Sequence, residues 1–154
     1  MPSRIRTRRG FSLAEILMCL VLVALITKLS LPKIVSMREK NAVRAAKLQL
    51  ASQIATARAA AIHRSQKASF RWDGTDGVAK VGGANGSETF VTGRVRLASL
   101  KVAVTPQGSQ DSIVFDSRGF ATNLTSRKVY RFSRNGVQDS LCVSRMGQIA
   151  RFCQ

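Results

Sequence analysis

Residues 8–27 read RRGFSLAEILMCLVLVALIT, and this stretch decides the architecture of the chain. The first ten residues contain four arginines and no acid, and an apolar segment begins abruptly at Phe11. Basic residues before an apolar segment favour a cytoplasmic N-terminus. The 11 uninterrupted apolar residues from 16 to 26 are too few to cross about 30 Å of hydrocarbon. With its flanks, the apolar zone over residues 11–35 is long enough, and we expect it to form a membrane-spanning helix.

The composition places the chain among folded, strongly basic proteins. Its 154 residues suit one domain with an appendage, and 45% of them are hydrophobic. A surplus of 25 Lys and Arg over 8 Asp and Glu gives a net charge of +17, which attracts phosphates and anionic lipid head groups. One histidine, few acids and three cysteines leave little material for catalysis or metal binding. We therefore expect no enzyme activity, no metal and no cofactor.

Three interpretations of the N-terminus compete. A secretory signal peptide ends in a small-residue cleavage site, and no convincing one follows Ile26. A twin-arginine export signal, which would make the protein a soluble periplasmic domain, accounts for Arg8-Arg9 but leaves Glu15 unexplained. The third interpretation accounts for all of these features. The run from Arg8 to Glu15, followed by an apolar helix, resembles the prepilin signal of type IV pilins and type II secretion pseudopilins.

This resemblance implies a processing step and a location. In that family a prepilin peptidase cleaves after the glycine and methylates the new N-terminus, which corresponds here to the bond Gly10–Phe11 and to N-methylation of Phe11. Residues 1–10 are then a leader peptide. The mature chain is implied to span the inner membrane once, with its C-terminal domain in the periplasm. Its implied partners are the prepilin peptidase, the inner membrane, and other minor and major pilin or pseudopilin subunits.

Glu15 matches the glutamate that this family carries five residues into the mature chain. A carboxylate inside a membrane helix costs about 2.5–3.5 kcal/mol on insertion scales, and so it usually marks a function. In a filament, Glu15 can pair with the amine of Phe11 on a neighbouring subunit and thereby set the axial register between subunits. The alternative is a tolerated carboxylate at the membrane interface.

After the apolar zone, the sequence predicts an amphipathic helix over residues 36–67. This segment contains no glycine or proline and is rich in good helix formers. Two apolar stripes follow it at helical spacing, which suits a helix that packs on its own sheet and on neighbouring helices. The alternative is a helix buried between two layers of its own domain. One stripe comprises Ile34, Met37, Ala45, Leu48, Ala55, Ala59 and Ile62, and the other comprises Val43, Leu50, Ile54 and Ala61.

Residues 68–154 contain short alternating or apolar runs separated by turn signals such as Asp73-Gly74 and Asn135-Gly136. This pattern predicts a small antiparallel β domain. The predicted strands cover residues 68–72, 78–81, 89–91, 94–100, 102–104, 112–115, 128–132, 141–145 and 149–153. The fold class is therefore α+β, with a long N-terminal helix, transmembrane and then amphipathic, packed on a small antiparallel sheet in a pilin-like manner.

Later motifs narrow the resemblance to the GspH/FimT family of minor pilins. The segments ARAAAIHRSQ at 57–66, IVFDSRGF at 113–120 and VSRMGQI at 143–149 look like the end of the long helix and the later strands of that family. The implied function is that of a minor pilin or pseudopilin subunit of a type IV pilus or type II secretion system, which initiates or caps filament assembly. The chain departs from the family after Gly147, where an Arg-x-Arg motif is common.

This departure bears on an alternative function, because some FimT-like members bind double-stranded DNA through the C-terminal hairpin in natural transformation. Residues 118–154 contain seven basic residues and one acid, a net charge of +6. Phosphate contacts need cationic donors and not a fixed motif. The candidate DNA-binding residues are Arg127, Lys128, Arg145 and Arg151. The competing interpretation is a solvated basic face, or one that matches acidic partner subunits.

Cys142 and Cys153 lie symmetrically about Gly147-Gln148. A two-residue type II′ turn with glycine first would place the two cysteines directly opposite each other in a hairpin. Because opposed residues are within disulfide reach and the periplasm is oxidising, the spacing favours a disulfide over two buried free thiols. Cys19 lies in the apolar zone, where we expect it to behave as a small apolar residue.

Overall fold

The computed structural model of the chain describes residues 11–82, 88–91, 95–108, 111–150 and 153. The chain divides into two compact units, residues 1–38 and 39–154, and helix α1 (Leu13–Arg64) contributes to both. In the first unit, all side chains from Phe11 to Lys28 are exposed. By length and composition, the N-terminal part of α1 is able to cross a membrane.

The end of α1 has a defined capping geometry. Ser65 adopts a left-handed φ of +50°, its N–H donates to Ile62 O, and the Gln66 N–H donates to Ala61 O. These two bonds form a Schellman motif, which satisfies carbonyls that the end of a helix leaves without partners. The helix therefore stops at Arg64, three residues before the end that the sequence predicted.

Strands follow α1 in the second unit. They are β1 (Ala68–Trp72), β2 (Asp76–Gly82), β3 (Glu88–Phe90), β4 (Val95–Arg96), β5 (Ala103–Gln107), β6 (Ser112–Phe115), β7 (Lys128–Arg134), β8 (Val137–Val143) and β9 (Ile149–Ala150). The predicted strand over 94–100 is wrong in its second half, where Ala98–Leu100 forms a 3₁₀ turn. Lys101 closes this turn with a left-handed φ of +50°, which a continuous strand does not allow.

The strands form two antiparallel sheets. In the first sheet the order is β3-β2-β1-β6, and β4 also pairs with β2. In the second sheet the order is β5-β7-β8-β9. The Asn123 amide covers the outer edge of β6, because its oxygen accepts from Val114 N–H and its nitrogen donates to Ser112 O.

One face of α1 packs into the core of the second unit. Its fully buried side chains recur at intervals of three and four residues: Val43, Ala46, Leu50, Ile54, Ala57 and Ala61. The largest buried strand residues include Phe70, Phe115, Tyr130 and Phe132. The other predicted stripe is exposed on this unit apart from the half-buried Ala45, with Leu48 53% exposed and Ile62 44% exposed. Burial of the helix between two layers of its own domain is therefore excluded.

Ion pairs also join α1 to the β7–β8 hairpin. Lys47 is buried, and its Nζ lies 2.7 Å from Asp139 Oδ1. Glu39 pairs with the Arg134 guanidinium, which also donates to Leu100 O. Both pairs are partly buried, so the loss of one partner is costly, and these contacts help to fix where the helix lies on its own domain.

Candidate functional site

The start of α1 contains the residues that the prepilin resemblance singled out. Gly10 lies outside the described residues, and Phe11 is exposed directly before the helix. Ser12 O accepts from the backbone N–H groups of Glu15 and Ile16, at 3.0 and 3.2 Å. Glu15 thus lies in the first turn, where a carboxylate is favoured by the positive end of the helix dipole. It is exposed and one turn from Phe11, so both groups are accessible to another chain.

A second candidate site lies at one end of the second unit, where two loops interlock. The loops are residues 116–121 and 144–148, and the Ala121 N–H donates to Arg145 O at 2.8 Å. From α1, Arg58 Nε donates to Gly119 O at 3.0 Å. Helix and loops together form what we call the tip.

Two glycines make this close approach of the loops feasible. Gly119 and Gly147 are buried and have φ values of +82° and +69°, which L side chains rarely adopt. A Cβ on Gly147 would collide with Gly119 O and lie 2.8 Å from Arg58 Nε. The glycines are therefore required by the packing of the tip.

The tip has a basic surface. Arg118 and Arg145 lie on the two loops and are exposed. Arg127, also exposed, precedes β7 and stands opposite Ser144 if the register of Lys128 with Val143 is continued by one residue. The carboxylate of Asp116 is engaged within its own loop, because its Oδ1 accepts from the backbone N–H groups of Arg118 and Phe120. Exposed arginines from three separate segments thus belong to one end of the domain.

The predicted DNA-binding residues differ in their exposure to solvent. Arg127 and Arg145 are exposed, and Arg151 lies outside the described residues. Lys128 is only 3% exposed, and its Nζ lies 3.4 Å from Gly108 O and 5.9 Å from the centroid of the Tyr130 ring. Burial lowers its pKa, which Asp111 partly opposes. The expectation that Lys128 contacts an external phosphate is therefore corrected, because its side chain is buried and its ammonium group donates to Gly108 O.

Sequence reasoning missed two kinds of tip residue. Arg118 belongs to the basic C-terminal segment but is not among the predicted DNA-binding residues. The sequence pattern also assigned no role to the exposed apolar side chains of Phe120 and Met146, the latter 61% exposed. A signal was present, because each apolar residue is adjacent to a glycine, Gly119 or Gly147, which is typical of an exposed turn.

Cys142 and Cys153 form a disulfide, with their Cα atoms 5.6 Å apart. The turn proposed for the hairpin is nevertheless wrong. Cys142 pairs with Ala150 and Val143 with Ile149, so a five-residue turn connects β8 and β9. The Ser144 N–H donates to Gln148 O, and the Gly147 N–H donates to Ser144 O, both at 2.9 Å. Gly147 packs against Gly119 and Arg58, and this contact determines the turn.

Within the described residues, no cluster of three or more His, Cys, Asp or Glu is able to hold a metal ion. The geometry at both candidate sites instead suits contact with other macromolecules: an exposed apolar helix with a terminal carboxylate, and a basic tip with exposed apolar side chains.

Comparison with known proteins decides the family. A family model described as type II transport protein GspH matches residues 48–147, which include the last third of α1 and most of the β domain. This chain belongs to the GspH/FimT family of minor pilins and pseudopilins. The matched region of this GspH-family protein includes every residue of the tip except Gln148.

Solved structures support the same fold. The GspH-family chain resembles two crystal forms of the type IV minor pilin FimU from Pseudomonas aeruginosa PAO1, with TM-scores of 0.62 and 0.56 and 16% sequence identity to each. The alignments cover 76% and 70% of this chain, and 92% and 90% of the FimU chains. At this identity the likeness concerns the fold. A search of curated proteins finds no match.

Proposed function

We propose that the protein is a minor pilin or pseudopilin subunit that initiates or caps the filament of a type IV pilus or a type II secretion system. The observation that carries this proposal is the exposed face of α1. The helix buries one apolar stripe in its own domain, while Leu48 and Ile62 on the other stripe and the large apolar side chains from Leu13 to Ile26 are exposed. Exposed apolar surface of this extent suits a lipid phase and neighbouring subunits.

The proposed organisation assigns one role to each segment. Residues 1–10 are the leader, 11–35 the transmembrane helix, 36–67 the amphipathic helix and 68–154 the periplasmic domain. The prepilin peptidase cleaves Gly10–Phe11 and methylates Phe11, and the mature chain then spans the inner membrane once. Glu15 pairs with the N-terminal amine of a neighbouring subunit. This pairing is favoured where Glu15 is surrounded by hydrocarbon, since an unpaired carboxylate there is costly.

The N-terminus of the mature protein tests this proposal. We expect mass spectrometry of protein from a host with prepilin peptidase to find methylated Phe11 as the first residue. In a strain without the peptidase, or with Gly10→Val, the chain should retain residues 1–10. A mature start near residues 27–31 would instead indicate a conventional or twin-arginine signal peptide and would contradict the proposal.

A second candidate function is the binding of double-stranded DNA during natural transformation. The observation that favours it is the convergence of exposed Arg118, Arg127 and Arg145 at the tip. Phosphates are bound by forked cationic donors of this kind. The exposed Phe120 beside them adds an aromatic surface, although a phosphate-directed site does not require one.

A further inference from the structure

A groove of about 460 Å³ lies on the outer face of the first sheet, away from the core. Its lining comes from β1, β2, β3 and β6, with β1 in the middle. Arg71 is central, because it stands directly opposite Val78 on one side and Ser112 on the other. In the next row Ser69 stands between Lys80 and Val114, and Phe90 lies opposite Lys80.

The groove exists because short side chains surround a long one. Ser69, Ser112, Val78 and Val114 leave space around the arginine. Its volume lies in the range of about 300–1,000 Å³ that ligand sites occupy. Two valines and the exposed Phe90 make part of the wall apolar, while the serine hydroxyls add polar groups near the guanidinium.

The charges in the groove leave one cation without an acceptor. Lys80 Nζ lies 2.9 Å from Glu88 Oε2 and 5.4 Å from the centroid of the Phe90 ring. Asp73 Oδ1 accepts from the backbone N–H groups of Thr75 and Asp76, at 2.9 and 2.6 Å. Arg71 is exposed, and among the described residues it has no hydrogen-bond acceptor and no ion-pair partner.

We propose that this groove docks a segment of another filament subunit that presents an aspartate or glutamate to Arg71, with apolar residues beside it. A guanidinium binds a carboxylate through two parallel hydrogen bonds, and the valines and Phe90 accommodate the apolar neighbours. The partner identity rests on the proposed function, since it assumes that the protein enters a filament.

Charge complementarity selects this occupant over others. A second processed copy of this chain, which keeps a net charge of +13 after the four arginines of residues 1–10 are removed from +17, is a poor source of acidic segments. A nucleic acid is also disfavoured, because a polyanion would meet Glu88 and Asp73 at the margins while the groove offers one unmatched cation. One carboxylate with apolar flanks matches both the charge and the surface.

Site-directed crosslinking in cells tests the inference with the full chain. A photocrosslinking amino acid at Ser112 stands beside Arg71 and labels whatever occupies the groove. We expect the crosslinked peptide to come from another pilin or pseudopilin subunit and to contain an acid next to apolar residues. Arg71→Gln should lower the yield about tenfold, as loss of one partner of an ion pair does. Arg131→Gln, an exposed arginine of the second sheet, is the matched control and should leave the yield unchanged.

A charge exchange completes the test. Arg71→Glu should abolish the crosslink, and replacing the crosslinked acid of the partner with arginine should restore it. Absence of a crosslink, an equal yield with Arg71→Gln, or crosslinking to nucleic acid would overturn the inference. These outcomes can be distinguished from failure of the proposed function. If the protein begins at methylated Phe11 and co-purifies with filament subunits, the proposed function stands even if Arg71 has no effect.

Discussion

Gly147 is the residue on which the close packing of the tip depends most. Its φ of +69° and the absence of a Cβ allow contact with Gly119 and Arg58. We expect Gly147→Ala to destabilise the domain by about 3 kcal/mol, from the left-handed backbone and the collisions together. Gly136→Ala is the control, because Gly136 has a φ of +83° but open space around it; we expect it to cost about 1–2 kcal/mol. Urea unfolding of a soluble 39–154 fragment measures both, and equal losses would show that the collisions are relieved.

Tyr130 links stability to alkaline pH. It is fully buried, its hydroxyl has no partner among the described residues, and burial, with a contribution from Asp111, raises its pKa. The unfolded chain loses the phenolic proton near pH 10, whereas the folded chain retains it, so this group makes stability fall as the pH rises above 10. Lys128 acts in the opposite direction below its ordinary pKa of 10.5, because its own pKa is lowered.

Tyr130→Phe separates the two effects. It removes the unpartnered hydroxyl and retains the edge-on contact with Phe70, whose ring centroid is 6.4 Å away. We expect stability at pH 7 to be unchanged or higher by up to about 1 kcal/mol, and the decline above pH 10 to disappear. Urea unfolding of wild type and variant between pH 7 and 11 checks this. A decline of equal slope in both proteins would assign it to another group.

At the scale of elements, local periodicity predicted most of the fold. The predicted bounds of β1 and β6 match those observed, because the apolar residues of β1 alternate with polar ones and β6 is a short, unbroken apolar run after a serine. β8 begins four residues earlier than predicted, at Val137, because Gln138, Asp139 and Ser140 hide the strand pattern. Pairing with β7 stabilises this stretch, and Lys47 neutralises Asp139. Such long-range contacts leave no local signal.

The same distinction, between local periodicity and long-range contacts, separates what could be predicted of the candidate sites from what could not. Lys128 shares a face of β7 with Tyr130 and Phe132, so alternation alone already placed it inward, and the predicted phosphate contact overlooked this. The turn between β8 and β9 was not predictable in this way. Its length depends on contacts of Gly147 with a loop nearly thirty residues earlier and with α1. The interlocked loops of the tip therefore could not be predicted from the sequence, whereas the N-terminal motif is a local pattern that the sequence itself contains.

Glu15 makes a prediction for the first helix as an element. We expect Glu15→Val to leave membrane insertion intact or improved, because it removes a carboxylate that costs about 2.5–3.5 kcal/mol in hydrocarbon. Incorporation into filaments should fall, since the partner of the neighbouring N-terminal amine is lost. Membrane fractionation and co-purification with other filament subunits measure the two effects. Glu15→Asp is the control that retains the charge, and normal co-purification of Glu15→Val would contradict the pairing.

At the scale of the whole molecule, the basic surplus is larger than the described ion pairs neutralise. Glu39, Glu88 and Asp139 are each paired with a cation of the same domain, so they do not oppose the field at the tip. A net charge of +17 then promotes association with any polyanion. A DNA-binding test must therefore separate the position of the charges from their number.

Two variants of equal charge make that separation. The tip variant replaces Arg118, Arg127 and Arg145 with alanine, and the control replaces Arg71, Lys101 and Arg131, which are exposed elsewhere. If the tip binds double-stranded DNA, each lost phosphate contact lowers the slope of log affinity against log salt by about 0.9, so the tip variant should lose about 2.7 and the control much less. Gel-shift titration of a soluble 39–154 fragment at several salt concentrations measures these slopes. Equal losses of slope in the two variants would show that binding depends on net charge alone. Absence of binding at low salt would contradict DNA binding and would favour contact of the basic tip with acidic partner subunits.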